Sequence, residues 1–384
     1  MLNRIKGFAY DIVLYFVLFT IKNKNKSKKV LIIRVDEIGD YILWRKFIDP
    51  ILKSYDLANH EIHFLGNESW QPLFELEFKG TFTKLYWLKK NNFKKNLSYR
   101  YSFLKEIAKE NYAIIINPTY SRAKRIDDTI VKAANATTNI GILRNNENYL
   151  PYEQNFDRQL YHKLFKIQEK YGFEFNRNKE FAEWVCKSSI PNLNLNFESN
   201  TLPQSHIALP ENGYFIVFPG SRSSARIWDT ENFIVVSNYL YQKYKLTAIV
   251  CGGQGDILYA ERFMQAYSNH VINITAKTSL PELLSIIKNA ACLLSVDTGS
   301  IHLAASVNCL ALGIFNGSQY GRFSPYPKEI SSKIISFYPK QVLEDINQNA
   351  LSKYELISTI SYNDVSPDEV ITYLNSYPLQ ERTS

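Results

Sequence analysis

Two patterns of apolar residues alternate along the chain. Short runs that are apolar throughout are followed by longer stretches with helical spacing. Lys29–Arg34 (KVLIIR) is the first such run. Strands covered on both faces of a parallel sheet read this way. Residues 35–40 form a turn after it, and 41–55 has helical periodicity. Strands are predicted at 61–66, 83–88 and 112–117, with helices at 69–78 and 100–110 between them. A second alternation runs strand Tyr214–Phe218, helix 230–244, strand 247–251, helix 256–268, strand 271–274, helix 280–289, strand 291–296, helix 299–307 and strand 309–315. Ser366-Pro367-Asp368-Glu369 opens a last helix with proline at its first position. Strands alternating with helices predict an α/β fold of parallel sheets with helices on both faces.

Between the two alternations, residues 187–212 hold Pro191, Pro203 and Pro210, many Asn and Ser, and no period. That is the composition of a linker. At 384 residues the chain is too long for one ordinary core and sufficient for two. The expected domains are 30–195 and 213–365, joined by 196–212. A C-terminal helix and tail, 366–384, are expected to pack back towards the first domain.

Residues 7–21 are apolar except for Asp11 and Thr20. This run falls short of the roughly 20 residues that span a bilayer. Lys22, Lys24, Lys26, Lys28 and Lys29 follow it, where a signal peptide would want small residues. An apolar helix and a basic run together supply two weak membrane signals. Residues 1–29 are therefore expected to attach peripherally to an anionic membrane surface. The alternative is a helix packed on the protein itself, followed by a solvated basic linker.

Lys plus Arg number 45 and Asp plus Glu 37, a formal charge of +8. The excess suits anionic partners such as sugar nucleotides, phosphorylated glycolipids or membranes. Nucleic acid is not expected, because the basic residues gather at 22–29 and 89–100 without a nucleic-acid module. The four cysteines show no CxxC spacing and read as reduced thiols of a cytosolic protein. His60 and His63 lie in a strand-like run and suggest no metal site.

Candidate chemistry sits where predicted strands end. Ser295-Val-Asp297-Thr298-Gly299-Ser-Ile-His302 passes from a buried strand into a helix. Asp297 or Thr298 can cap that helix, Gly299 lets a ligand approach the backbone, and a helix N-terminus suits a phosphate. Phe218-Pro-Gly220-Ser221 ends another strand. Arg222, Arg226 and Trp228 follow it, as a diphosphate cradle or as a turn with solvated arginines. Gly252-Gly253-Gln-Gly-Asp256 ends a third strand. Asp256 either holds ribose hydroxyls or caps a helix, and Glu261 is a weaker candidate. In open parallel sheets ligands bind at the carboxyl ends of strands, so the joint occurrence means more than any one motif. In the first domain Arg34 is followed by Asp36, Glu37, Gly39 and Asp40. A carboxylate there, Asp40 foremost, can be a general base for an acceptor hydroxyl or a helix cap.

Val30-Leu-Ile-Ile-Arg34…Ile38-Gly39-Asp40, Phe218-Pro-Gly-Ser221…Arg226-Ile-Trp228, Gly252-Gly253 and Asp297-Thr-Gly299…His302-Leu-Ala-Ala305 occur in this order. Together they resemble glycosyltransferase family 9, the bacterial heptosyltransferase group, over nearly all of the chain from about residue 29. The resemblance implies a GT-B fold, with two Rossmann-like parallel-sheet domains facing across a cleft. It also implies inverting transfer from a nucleotide sugar, typically ADP-heptose, to a lipopolysaccharide-core acceptor. By it, the first domain binds the acceptor, with Arg34 and Gly39 on that side, and Asp40 matches the catalytic aspartate. The second domain binds the donor through Gly220, Ser221, Arg226, Gly252, Gly253, Asp256, Asp297, Thr298, Gly299 and His302. Arg226 stands where the family usually has lysine, which keeps the charge and changes the geometry. No Asp-x-Asp motif is present, and no metal or cofactor is expected beyond the donor. The expected setting is cytoplasmic, peripheral on the inner face of the inner membrane. The alternatives are a GT-B transferase using a UDP- or GDP-sugar for capsule or another surface glycan, and a non-catalytic nucleotide-sugar or glycolipid-binding protein.

Overall fold

The computed structural model describes residues 2–20, 27–149, 157–168, 172–191, 193–221 and 226–379. The chain divides into two compact units. Met1–Lys170 with Phe175–Leu193 makes the first, and Tyr171–Glu174 with Asn194–Ser384 the second.

The first unit is built on β1 (Lys29–Arg34), β2 (Glu61–Asn67), β3 (Lys84–Leu88), β4 (Ile114–Asn117), β5 (Thr138–Ile142) and β6 (Lys163–Phe165). Their order across the sheet is β3-β2-β1-β4-β5-β6, and every pair is parallel. Val30 lies opposite Ile62 on one side and Ile114 on the other, and Val30 to Ile33 are fully buried. The apolar run in the sequence therefore marks the sheet's centre. The second unit has β7 (Tyr214–Phe218), β8 (Thr247–Val250), β9 (Val271–Asn273), β10 (Leu293–Val296), β11 (Ala311–Ile314) and β12 (Ile334–Phe337). Its order is β12-β11-β10-β7-β8-β9, again parallel throughout. Both sheets wind outward from a central strand, return to the middle, and wind outward the other way. This is the Rossmann order, and it opens a crevice beyond the strand ends at β1/β4 and at β7/β10.

Three strands escaped the sequence reading. β5 (TNIGI) mixes Thr and Asn with a glycine, and β6 (KLF) and β12 (IISF) are short. None offers an apolar run long enough to stand out from a helix segment. Residues 35–40 are less of a turn than expected, because a helix already begins at Ile38 (Ile38–Trp44). It buries Tyr41, Ile42, Leu43 and Trp44. Tyr41 stacks on Trp70 at 4.2 Å, and Phe64 on Phe74 at 4.5 Å. This aromatic cluster also aims the end of β1, since the Trp70 indole donates to the Asp36 carbonyl at 3.1 Å.

The first helix, Leu2–Thr20, packs on the first unit through Leu14 and Val17, which join its core. The lysines at 22, 24 and 26 lie outside the described residues. No helix among the described residues is long and apolar enough to cross a membrane. The linker is docked rather than free: Phe197 N–H donates to Ser306 O at 2.9 Å, and His206 N–H to Glu282 Oε1 at 2.9 Å. The last helix, Pro367–Ser376, packs on the helix Thr230–Tyr244 and buries Val370 and Leu374 in the core of the second unit. That corrects the expectation that it turns back to the first. Its apolar positions complete the sheet's own helical layer. Cys251, Cys292 and Cys309 are buried and Cys186 is partly buried, and none of the four forms a disulfide.

Phe64 is fully buried among Trp44, Trp70, Phe74, Phe82 and Trp87. Truncation to alanine is expected to cost about 3–5 kcal/mol. A thermal melt of Phe64→Ala should show a transition several degrees lower, and an unchanged melt would remove the cluster as the anchor of the first unit.

Candidate functional site

In the first unit the crevice is lined by the end of β1. Arg34 is completely buried, and its guanidinium lies 5.5 Å over the Trp44 ring. A cation in that position needs anions and acceptors. Asp36 supplies one, with Oδ2 at 2.8 Å from Arg34 Nε. Arg34 also donates to the carbonyls of Pro118 and Asp40 at 3.4 and 3.3 Å, and to Asn178 Oδ1 at 3.2 Å. Asn178 Nδ2 donates in turn to Leu43 O at 3.1 Å, tying the arginine to the helix that carries Asp40.

Asp40 lies in the first turn of that helix. Its Oδ2 accepts the Glu37 N–H at 3.3 Å, so the cap reading is realised. Its Oδ1 stays 4.0 Å from Arg34 Nη2, and the side chain is 18% exposed. Two carboxylates thus share one buried cation unequally. Burial pushes the Asp36 carboxyl well above the usual range, Asp40 pushes it further, and Arg34 opposes both. Asp40 is the more distant partner, and the two carboxylates are about equally open to solvent, Asp36 at 16% and Asp40 at 18%. Glu37 is engaged by Lys90 at 2.8 Å. Burial raises Asp127 as well. The sequence reading named Arg34, Asp36, Glu37, Gly39 and Asp40, and all five meet at this turn. It missed Asn178, Lys90 and Asp127, which arrive from other elements with no local motif.

In the second unit three strand ends converge beside β7/β10. Gly220 follows β7 and Gly252 follows β8, and the Asp256 carboxylate lies against both. A Cβ on Gly252 would come within 2.6 Å of Asp256 Cβ, so glycine is required there by space. Asp256 Oδ2 accepts the Gly253 N–H at 2.8 Å. The carboxylate therefore closes the loop after β8, and its Oδ1 faces Gly220. Ser221 follows Gly220 at the same strand end.

Arg226 Nη1 lies 3.6 Å from Asp297 Oδ2, which unites the two motifs predicted to hold the donor. Burial raises the Asp297 carboxyl, and Arg226 works against that rise. The turn carrying Arg226 is pinned by the C-terminal segment: Trp228 Nε1 donates to Val365 O at 3.0 Å, and Asp229 N–H to Asn363 Oδ1 at 2.8 Å. Arg222 lies outside the described residues. Thr298 caps the helix Gly299–Ala305 by accepting the Ser300 N–H, and its hydroxyl meets Ser300 Oγ at 2.8 Å. His302 in that helix is buried, with Nδ1 bonded to the Tyr326 hydroxyl and the Phe323 ring 5.9 Å away. Burial lowers its pKa to about 4, with Glu174 opposing. The ring is therefore neutral at pH 7, and among the described residues nothing bonds its Nε2. Tyr326 was not found in the sequence, where it follows Pro325 with no periodic signal. Among the described residues, no group of three or more His, Cys, Asp or Glu could hold a metal ion.

The family model of glycosyltransferase family 9 (heptosyltransferase) matches residues 131–351, more than half of the chain. The chain belongs to glycosyltransferase family 9. The matched residues contain every candidate of the second unit and none of Arg34–Asp40. "Lipopolysaccharide heptosyltransferase 3" of Escherichia coli K12 is 25% identical to this family 9 chain over 158 residues, 41% of the chain and 43% of that protein. The match thus spans less than half the length of that curated relative. Among solved structures, the glycosyl transferase family 9 from Veillonella parvula DSM 2008 superposes with a TM-score of 0.66 at 18% identity, covering 91% of the chain and 97% of that structure. E. coli heptosyltransferase WaaC with ADP gives a TM-score of 0.64 at 15% identity, covering 91% and 99%. The expected two-sheet GT-B fold is thereby established for this family 9 chain.

His302 gives a pH test. Native His302 stays neutral down to about 4, whereas an unfolded histidine takes up its proton near 6.5. In that window the unfolded state binds more protons, so the contribution of His302 to stability is whole above it and shrinks as pH falls through it. Melting temperatures of the wild type should fall more steeply between these two pH values than those of His302→Gln. Parallel curves would show that His302 is not buried neutral.

Proposed function

We propose that this family 9 chain is an inverting glycosyltransferase that moves heptose from ADP-heptose to a lipopolysaccharide-core or related glycolipid acceptor. The observation that carries the reading is the convergence of Gly220–Ser221, Arg226, Gly252–Asp256 and Asp297–His302 on the reversal of the second sheet, within the residues matched to the family. The names of the relatives, heptosyltransferases and one solved with ADP, support adenine and heptose over other donors.

In the proposed reaction an acceptor hydroxyl oxygen attacks the anomeric carbon as the bond from that carbon to the diphosphate oxygen breaks. The configuration inverts, and the hydroxyl proton passes to the Asp40 carboxylate. Asp40 suits this because Arg34 is committed first to Asp36. The support for Asp40 is its Gly-Asp motif and its place at the crevice of the first sheet. ADP leaves with its charge met by Arg226, the strand-end amides near Gly220 and Thr298, and a neutral His302 whose Nε2 can donate. One such donor, placed where charge develops, is worth roughly 3–4 kcal/mol. With a cation in that role the transfer is expected to proceed in the presence of EDTA. A glycolipid acceptor places the work peripherally at the cytoplasmic face of a membrane.

Asp40→Asn should lower turnover by about 100- to 10,000-fold, the range of general-base catalysis, while ADP still raises the melting temperature. Near-normal turnover would move the base elsewhere. Arg226→Ala should weaken ADP binding and turnover together, and unaltered ADP affinity would remove it from the cradle. A thermal-shift panel of ADP, UDP, GDP and CDP on the wild type decides the donor. A response to UDP or GDP alone would keep the fold and replace the sugar nucleotide. Silence to all four would favour a glycolipid-binding protein.

A further inference from the structure

The helix Leu2–Thr20 has two apolar faces, and the fold uses one of them. The inner face carries Leu14 and Val17, buried in the core of the first unit. Gly7 is buried against the Arg125 guanidinium. The Tyr10 hydroxyl donates to the Lys94 carbonyl, and its ring lies 4.3 Å from the Arg100 guanidinium. These contacts fix the rotation of the helix. They leave Phe8, Ile12, Tyr15, Phe16 and Phe19 outward, with Phe8 69%, Tyr15 66% and Phe19 78% exposed. The five positions are i, i+4, i+7, i+8 and i+11, so they form one stripe. They make up five of the fifteen large apolar side chains that stand exposed among the described residues. A stripe of this kind marks a binding surface rather than the scattered apolar residues of an ordinary exterior.

The surroundings say what kind of partner covers it. Lys94 and Lys95 are exposed at the end of the neighbouring helix Lys90–Lys95, which Tyr10 contacts. In the sequence the helix runs directly into Lys22, Lys24, Lys26, Lys28 and Lys29. Asp11 is the one acid on the helix. An apolar stripe rich in aromatic rings, on a helix that touches a lysine-ended neighbour and is followed in the sequence by a lysine-rich run, fits a partner that is apolar a few ångströms below an anionic surface. We propose that the outer face of this helix is a docking surface for an anionic lipid bilayer. The helix lies flat on the bilayer while its inner face stays packed on the protein. Packing on the protein and binding a membrane are then two sides of one element rather than alternatives. The inference rests on the glycolipid reading of the acceptor for its purpose, but vesicle binding needs neither donor nor turnover, so the two fail separately.

The test is flotation of the full chain with phosphatidylcholine vesicles, with and without phosphatidylglycerol, for the wild type and the double variant Phe16→Ser, Phe19→Ser. Both side chains point outward, so the variant should keep the wild-type melting temperature and its response to ADP. The wild type should float with the anionic vesicles, release as salt is raised, and bind neutral vesicles more weakly. The double variant should bind about tenfold more weakly or worse, as the loss of even one buried phenyl ring predicts. A Phe19→Trp probe should shift its emission to the blue on anionic vesicles. Equal flotation of wild type and double variant, or none by the wild type, would overturn the proposal. So would a wild type that is dimeric in solution, with the variant monomeric and neither floating, since the stripe would then belong to a second copy of the chain.

Discussion

A parallel sheet that reverses its winding leaves a gap beyond two neighbouring strands, because the connections on either side depart to opposite faces. Both units of this chain are wound that way, and each candidate site lies at its reversal. Everything chemical about the molecule follows from filling those two gaps differently. The first is filled by a buried cation and the carboxylates it draws in. The second is filled by glycines, hydroxyls and a neutral histidine, with one arginine at its edge.

The first filling is an electrostatic compromise. Arg34 is shut off from bulk solvent, and Asp36, Asn178 and two carbonyls around it help to offset the burial of its charge. Asp40 sits just beyond that set, in a helix whose start it caps. It is thereby held in place at the start of the helix, with the Arg34 guanidinium 4.0 Å from its Oδ1. The second filling is steric. Asp256 occupies the space that side chains on Gly220 and Gly252 would need, and it locks two strand ends into one loop. The Tyr326 bond fixes the ring of His302, and burial keeps it uncharged.

The first helix shows the same economy of use. Its inner residues complete a core, while its outer residues cannot, because the sheet's helical layer is already filled. An apolar face left over in this way is free to serve an apolar phase outside the protein.

Much of this was legible in the sequence, for a definite reason. Central strands of a parallel sheet are apolar on both faces, so β1, β7 and β10 announced themselves, and the residues just after them had to lie at the ligand-binding edge. Arg34 to Asp40 and Asp297 to His302 were singled out as candidates by that logic. The short or polar strands β5, β6 and β12 carried no such signal. Neither did the partners that come from far along the chain: Asn178 beside Arg34, Tyr326 beside His302, and the segment around Asn363 that pins Trp228. The placement of the last helix was misread because an amphipathic pattern shows that a face must be buried but not against what. Local sequence thus determined which residues end each strand, since burial acts residue by residue. Only the tertiary structure decided which of them share a cation or a space, because those pairings join separate elements, from Tyr326 24 residues beyond His302 to Asn178 144 residues beyond Arg34.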